Sequence, residues 1–167
     1  GNRGNISDRN GQVLAETVNT YTFWVDTNKE LDKEAVVHLF SREFNQSPES
    51  FRQLLSRKKN YIMLAHGLYR SQCQPILDQL KNIKGLRCDI SVSRYYPYHN
   101  LASQVVGYVD RDHKGQFGIE RQFDPLLNGK TSNLIFDRAA DGRLRKAIVD
   151  QHPDVENGVD IQLTIDV

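Results

Sequence analysis

Ser56 and Lys59 stand at S-x-x-K spacing, which sets a serine hydroxyl one helical turn from a lysine amine able to take its proton as the oxygen attacks a carbonyl. That chemistry also needs the serine at a helix N-terminus in a dry cleft, a Ser-x-Asn element and a strand-borne Lys-Thr-Gly facing it. No Ser-x-Asn occurs in the chain, and Lys130-Thr131 is followed by Ser132. Ser56 falls at a helix end beside Arg57, Lys58 and Lys59, so it reads as a solvated tail and no catalytic residue is assigned. Gly129-Lys130-Thr131 mimics the end of a phosphate-binding loop, but the earlier glycine that such a loop requires falls at Asp124. Asp110-Arg111-Asp112 opens like a calcium loop, yet Lys114 and Arg121 occupy its fifth and twelfth positions. The five histidines include no i, i+4 pair, so neither a metal nor a cofactor is expected. Cys73 and Cys88 are too few for a zinc site or a disulfide scaffold, and their spacing leaves both a bridge and two separate packed thiols open.

A different set of charges carries the stronger hypothesis. Arg3, Asp8, Arg94 and Glu120 come from three separated segments, each joined to apolar residues that draw it toward a core. Arginine can bridge two carboxylates through its planar fork, so a structural ion-pair cluster tying the segments together is expected.

The elements that would position these residues follow from pattern and punctuation. Ile6 begins a strand, Asn10-Gly11 supplies a tight two-residue hairpin turn, and Val13-Leu14 returns along the partner strand. Tyr21-Thr22-Phe23-Trp24-Val25 is a buried strand. Leu31, Ala35, Val36, Leu39 and Phe40 recur at helical spacing up to Phe44, and Ser47-Pro48 starts a second helix. Residues 61–65 form a short strand. Ser71 caps a third helix that reaches about Asn82 and is closed by Gly85, with Pro75 in its first turn. Leu86, Cys88, Ile90 and Val92 alternate with polar residues as a half-buried strand that delivers Arg94. Helices over 100–109 and 118–127, the second ended by Gly129 in a left-handed conformation, precede strands at 134–136 and 143–149 around an Asp141-Gly142 turn.

The fold class is therefore α+β with two lobes: a strand-rich base from residues 1–26 and 91–167, and a helix-rich head inserted at 27–90. The first and last strands are expected to come together. At 167 residues and 38% apolar content the chain suits one domain or one domain with a lobed insertion. Its 22 basic and 21 acidic residues leave a formal charge of +1, which gives no general attraction to nucleic acid or anionic lipid. No run of eighteen apolar residues occurs.

Three stretches share an order with a known family. R-G-x-I-x-D-R-x-G-x-x-L-A at Arg3 to Ala15, R-x-Y-P at Arg94 to Pro97 with the following Leu101 to Val109, and G-x-E-x-x-F-D-x-x-L-x-G at Gly118 to Gly129 resemble the motifs of the N-terminal non-catalytic module of class B penicillin-binding proteins. These are the monofunctional cell-wall transpeptidases of bacteria. The close at Gly158 to Asp166 is similar to the strand that leads into their transpeptidase domain. His99 stands where many relatives carry Gly, and Ser132 where a second Gly often follows.

The resemblance implies a pedestal, or dimerisation, domain that is not itself an enzyme, in a parent D,D-transpeptidase acting on peptidoglycan. It implies an anchor helix before Gly1, a downstream transpeptidase domain in the same chain and an extracytoplasmic, periplasmic location. The implied partners are a membrane glycosyltransferase of the shape, elongation, division and sporulation family and other cell-wall synthesis proteins, with no nucleic acid. It implies the same structural role for Arg3, Asp8, Arg94 and Glu120. The short link between Gly107 and Gly118 looks like the division branch that makes septal wall, with an elongation-type pedestal or a free-standing adaptor as alternatives. Glu34, Arg42 and Arg52, on wet helical faces, are the expected partner surface.

Overall fold

A computed structural model of the chain describes residues 1–129 and 156–167, together with two strands, Phe136–Arg138 and Leu144–Lys146. The chain forms two compact units, Gly1–Thr17 with Arg94–Val167 and Val18–Ser93. The joints thus lie at 17/18 and 93/94 rather than at the expected 26/27 and 90/91. The reason is the length of β2 (Val13–Asp26), whose second half is the central strand of the 18–93 unit. Among the described residues, a mixed sheet and six helices make the class α+β.

In the 18–93 unit, β2 is followed by α1 (Lys33–Phe44), α2 (Pro48–Leu55), β3 (Tyr61–Tyr69), α3 (Arg70–Gln79) and β4 (Leu86–Tyr95), which leads out of it. Local chemistry sets most of the boundaries. The Asp32 carboxylate accepts from Ala35 N–H at 3.1 Å to start α1, and Ser47 Oγ accepts from Glu49 N–H at 3.2 Å ahead of Pro48. Phe23, Val25, Val36, Val37, Phe40 and Ile76 are buried, with Phe23 edge-on to Phe40 at 5.9 Å. Three expectations change here. β3 runs four residues past 65, held by pairing with β2 from Tyr61 opposite Asp26 to Tyr69 opposite Thr20. The cap of α3 is Tyr69, whose N–H donates to Gln72 Oε1 at 2.9 Å; Ser71 is inside the helix, Pro75 lies beyond its first turn, and the helix ends at Gln79. Leu86 and Arg94 are buried, but Ile90 and Val92 are 63% and 46% exposed, so β4 is covered at its two ends and open in its middle. Cys73 and Cys88 are both free thiols, the first buried and the second half-buried.

In the other unit, β1 (Ile6–Ser7) pairs antiparallel with the start of β2 and parallel with β7 (Ile161–Gln162), so the first and last strands do lie side by side. The hairpin loop differs from the expected two-residue turn. Asp8 N–H donates to Gln12 O at 2.9 Å and Gly11 N–H to Asp8 O at 3.1 Å, which makes Arg9, Asn10 and Gly11 a three-residue loop. Gly11 alone of these adopts positive φ, at 81°. Ile6, Leu14, Ala15, Val106 and Leu127 form the core beneath α4 (His99–Val106). The helix expected at 118–127 is two pieces, α5 (Gly118–Gln122) and α6 (Asp124–Leu127), because Pro125 cannot donate back across the joint at Phe123. Asn128 leaves α6 in extended backbone, φ −70° and ψ 124°, so Gly129 is not its left-handed cap. The strands expected at 134–136 and 143–149 lie at β5 (Phe136–Arg138) and β6 (Leu144–Lys146), paired antiparallel. Lys130, Ser132 and the Asp141-Gly142 turn fall outside the described residues.

Candidate functional site

The site is a buried charge cluster in the unit that holds both ends of the chain. Arg3 reaches it from the segment before β1, Arg94 from the end of β4, and Glu120 from the first turn of α5. The backbone that delivers Glu120 depends on glycine. Gly118 begins α5 at φ 59°, and a side-chain carbon there would sit 2.4 Å from Val105 O. No other residue type fits that approach without moving α4.

Glu120 is fully buried, and its two carboxylate oxygens are divided between the arginines. Arg3 Nε donates to Oε2 at 2.7 Å and Arg94 Nε to Oε1 at 2.8 Å, with Tyr96 OH on Oε1 at 3.4 Å. Arg3 also donates through Nη2 to the Glu120 carbonyl at 2.8 Å, and through Nη1 to Asp124 Oδ1 and Asn128 Oδ1, each at 2.7 Å. Arg94 Nη1 donates to Thr17 Oγ1 at 3.0 Å, and Thr17 Oγ1 donates to Arg3 O at 2.9 Å. Two guanidinium groups thus face two carboxylates, and the charges cancel inside the fold. Asp124 is the most exposed of the four charged members, its side chain 26% exposed, and it accepts from Gly115 N–H at 2.7 Å. Burial, reinforced by the Glu120 charge, pushes the Tyr96 phenol up to about 12, so it stays protonated and donates.

Of the four residues expected in the cluster, the fold brings together Arg3, Arg94 and Glu120 and leaves Asp8 out. Asp8 is buried at the hairpin, where its Oδ1 accepts from the backbone N–H of Asn10 and of Gln12, both at 2.8 Å. Burial works against its ionisation, but the backbone donors of Gln12, Asn10 and Val167 outweigh it and hold the carboxyl below its ordinary value. A three-residue loop needs an acceptor at that position, which takes precedence over a distant arginine. Thr17, Tyr96, Asp124 and Asn128 are the members that sequence reasoning missed. The signal was present for two of them, since 120, 124 and 128 recur at helical i+4 spacing.

The other expected residues lie elsewhere. Glu34 and Arg52 pair across α1 and α2 at 3.1 Å on an exposed surface, which lowers the carboxyl and raises the guanidinium. Arg42 bonds its neighbour Glu43 at 3.0 Å. Ser56 ends α2 in helical backbone, and its Oγ donates to Gln53 O at 2.7 Å, at the wrong end of a helix for a nucleophile. Among the described residues, no group of three or more His, Cys, Asp or Glu side chains could hold a metal ion, and no helix is long and apolar enough to cross a membrane.

An α+β module whose buried arginines and glutamate tie its first residues to segments ninety or more positions away is a scaffold built around a charged core. Residues 1–163 match the family described as the Penicillin-binding Protein dimerisation domain, and the chain belongs to that family. Among its relatives is the peptidoglycan D,D-transpeptidase FtsI of Buchnera aphidicola, 30% identical over 176 residues that cover 98% of this chain and 29% of the relative. The chain therefore spans less than a third of the length of that enzyme. In fold it is similar to penicillin-binding protein 2X of Streptococcus thermophilus, with a TM-score of 0.67 at 22% identity, covering 96% of this chain and 28% of that one. A complex between a penicillin-binding protein and MreC from Helicobacter pylori contains a further fold neighbour, with a TM-score of 0.56 at 24% identity over 99% of this chain and 35% of that one.

Proposed function

We propose that this chain is the non-catalytic pedestal of a class B penicillin-binding protein, positioning a downstream D,D-transpeptidase domain outside the inner membrane and docking a partner glycosyltransferase in septal peptidoglycan synthesis. The observation that carries this reading is the Arg3–Glu120–Arg94 cluster. Glu120 is fully buried, with both oxygens occupied by arginines, so its charge serves rigidity rather than reaction. The parallel pairing of β1 with β7 supports it, because strands from both ends of the chain share one sheet. The division assignment rests on the compact 107–118 link, which is closed by a single bridge between Val109 and Gly115. Docking is assigned to the surface bearing Glu34, Arg42 and Arg52, whose charges can be reversed without entering the core.

Two measurements test this. The 167-residue chain should remain unlabelled by a fluorescent penicillin that labels the full-length protein. Stoichiometric labelling lost in Ser56→Ala would overturn the pedestal reading. In the full-length protein, reversal of Glu34, Arg42 and Arg52 should impair glycan-strand synthesis by the partner while penicillin acylation persists. Unchanged synthesis would remove that surface from consideration, and depletion giving round cells rather than filaments would replace the septal role with an elongation role.

A further inference from the structure

β3 lies at the end of its sheet, with β2 on one side and, among the described residues, no strand on the other. The register shows which backbone groups are open. Thr27 N–H donates to Asn60 O at 2.9 Å, so that pair is hydrogen-bonded, and an antiparallel ladder alternates from there. Tyr61 opposite Asp26 and Met63 opposite Trp24 are then non-hydrogen-bonded pairs, while Ile62 bonds to Val25. The N–H and C=O groups of Tyr61 and Met63 consequently point away from the sheet. The two residues are 54% and 44% exposed, and the register places their side chains on the same face of the sheet as Trp24.

A cleft of about 500 Å³ runs along this edge, lined by Trp24, Leu54, Arg57, Lys59, Tyr61 and Met63 among others. Among the described residues, no acidic one lines it. Arg57, Lys58 and Lys59 are consecutive, and none of them pairs with a carboxylate among the described residues. An open edge with apolar side chains is a template for another strand unless something blunts it, and cations beside the edge select which strand can approach.

We propose that the β3 edge takes an extended acidic segment of a partner protein as an added strand. Its main chain pairs with Tyr61 and Met63, its apolar side chains pack on Trp24, Tyr61 and Met63, and its carboxylates meet Arg57 and Lys59. This stands on the sheet edge alone and does not depend on the pedestal reading. Cations can also serve only to keep strands away, but a purely protective charge captures none.

The probes are three labelled peptides: alternating Glu and Val, alternating Lys and Val, and the Glu-Val peptide with a central proline that removes a main-chain donor. Anisotropy against the 167-residue chain should show saturable binding of the Glu-Val peptide only. Bound peptide should slow hydrogen exchange at the Tyr61 and Met63 amides. Arg57→Glu combined with Lys59→Glu, on an exposed surface, should weaken binding by about tenfold or more with an unchanged circular dichroism spectrum. The proposal is overturned by equal affinity for the Glu-Val and Lys-Val peptides, by binding that leaves the β3 amides unprotected, by no binding, or by self-association of the chain through β3.

Discussion

Glu120→Gln is the sharpest perturbation of the charged core, because it keeps the side chain's shape and removes only its charge. The wild-type carboxylate receives Arg3 Nε at 2.7 Å and Arg94 Nε at 2.8 Å, and these arginine side chains are 3% and 2% exposed. The amide leaves two buried guanidinium groups with Asp124 as their one carboxylate partner among the described residues, and it turns an N–H toward one of them. Breaking a buried pair in this way costs about 3–5 kcal/mol. In a chain of this length each kcal/mol lowers Tm by roughly 2–4 °C, so a fall of about 6–20 °C is expected. Glu30 offers a matched control, since it meets Lys84 at the same 2.9 Å scale but with side chains 79% and 69% exposed. Glu30→Gln should cost less than about 1 kcal/mol. The assay is thermal unfolding for Tm and urea unfolding for the free energy, both followed by far-UV circular dichroism, because the single tryptophan, Trp24, lies in the other unit. Arg94→Met added to Glu120→Gln should cost less than the sum of the two, with a coupling of about 0.5–3 kcal/mol. A loss at Glu120 no larger than at Glu30, or strict additivity, would refute a buried and coupled cluster.

Three further outcomes follow from single residues. Asp8 is held below its ordinary 3.8, so its contribution to stability is present above that pH and lost as the pH falls through 3.8 toward its folded value; Asp8→Asn should flatten the acid limb of a stability profile in that window. Tyr96, raised to about 12, contributes below its ordinary 10.0 and loses that contribution as the pH climbs between the two. Tyr96→Phe should therefore lose less stability over that range, and phenolate absorbance should show one tyrosine fewer titrating near the upper value. Gly118→Ala should cost more than about 2 kcal/mol because left-handed backbone and a blocked approach combine, whereas Gly11→Ala, at φ 81° with nothing within 4 Å of the added carbon, should cost only the ~1–2 kcal/mol of the backbone. Equal losses at the two glycines in thermal melts would count against the close contact at Gly118.

Sequence alone was enough to determine the features governed by neighbours in the chain. Ser47-Pro48 starts α2 where a capping oxygen and a fixed φ dictate, the hydrophobic spacing from Ala35 to Phe40 makes α1, and the ordered motifs at Arg3, Arg94 and Glu120 name three members of the cluster. Features that depend on partners distant in sequence were decided by the tertiary structure. Asp8 has the same local credentials as the other cluster charges, yet the backbone donors of its own loop claim its carboxylate first. Ile90 and Val92 alternate as a buried strand should, but among the described residues no helix covers that stretch of β4, and both side chains face solvent. β3 outruns its apolar pattern because the length of β2 beside it sets how many ladder bonds can form. Asp124, Asn128 and Thr17 join the cluster because folding brings their oxygens within 3 Å of guanidinium groups on other segments. Propensity and capping act over a few residues, whereas burial of a charge is settled by whichever donor or acceptor folding carries to it.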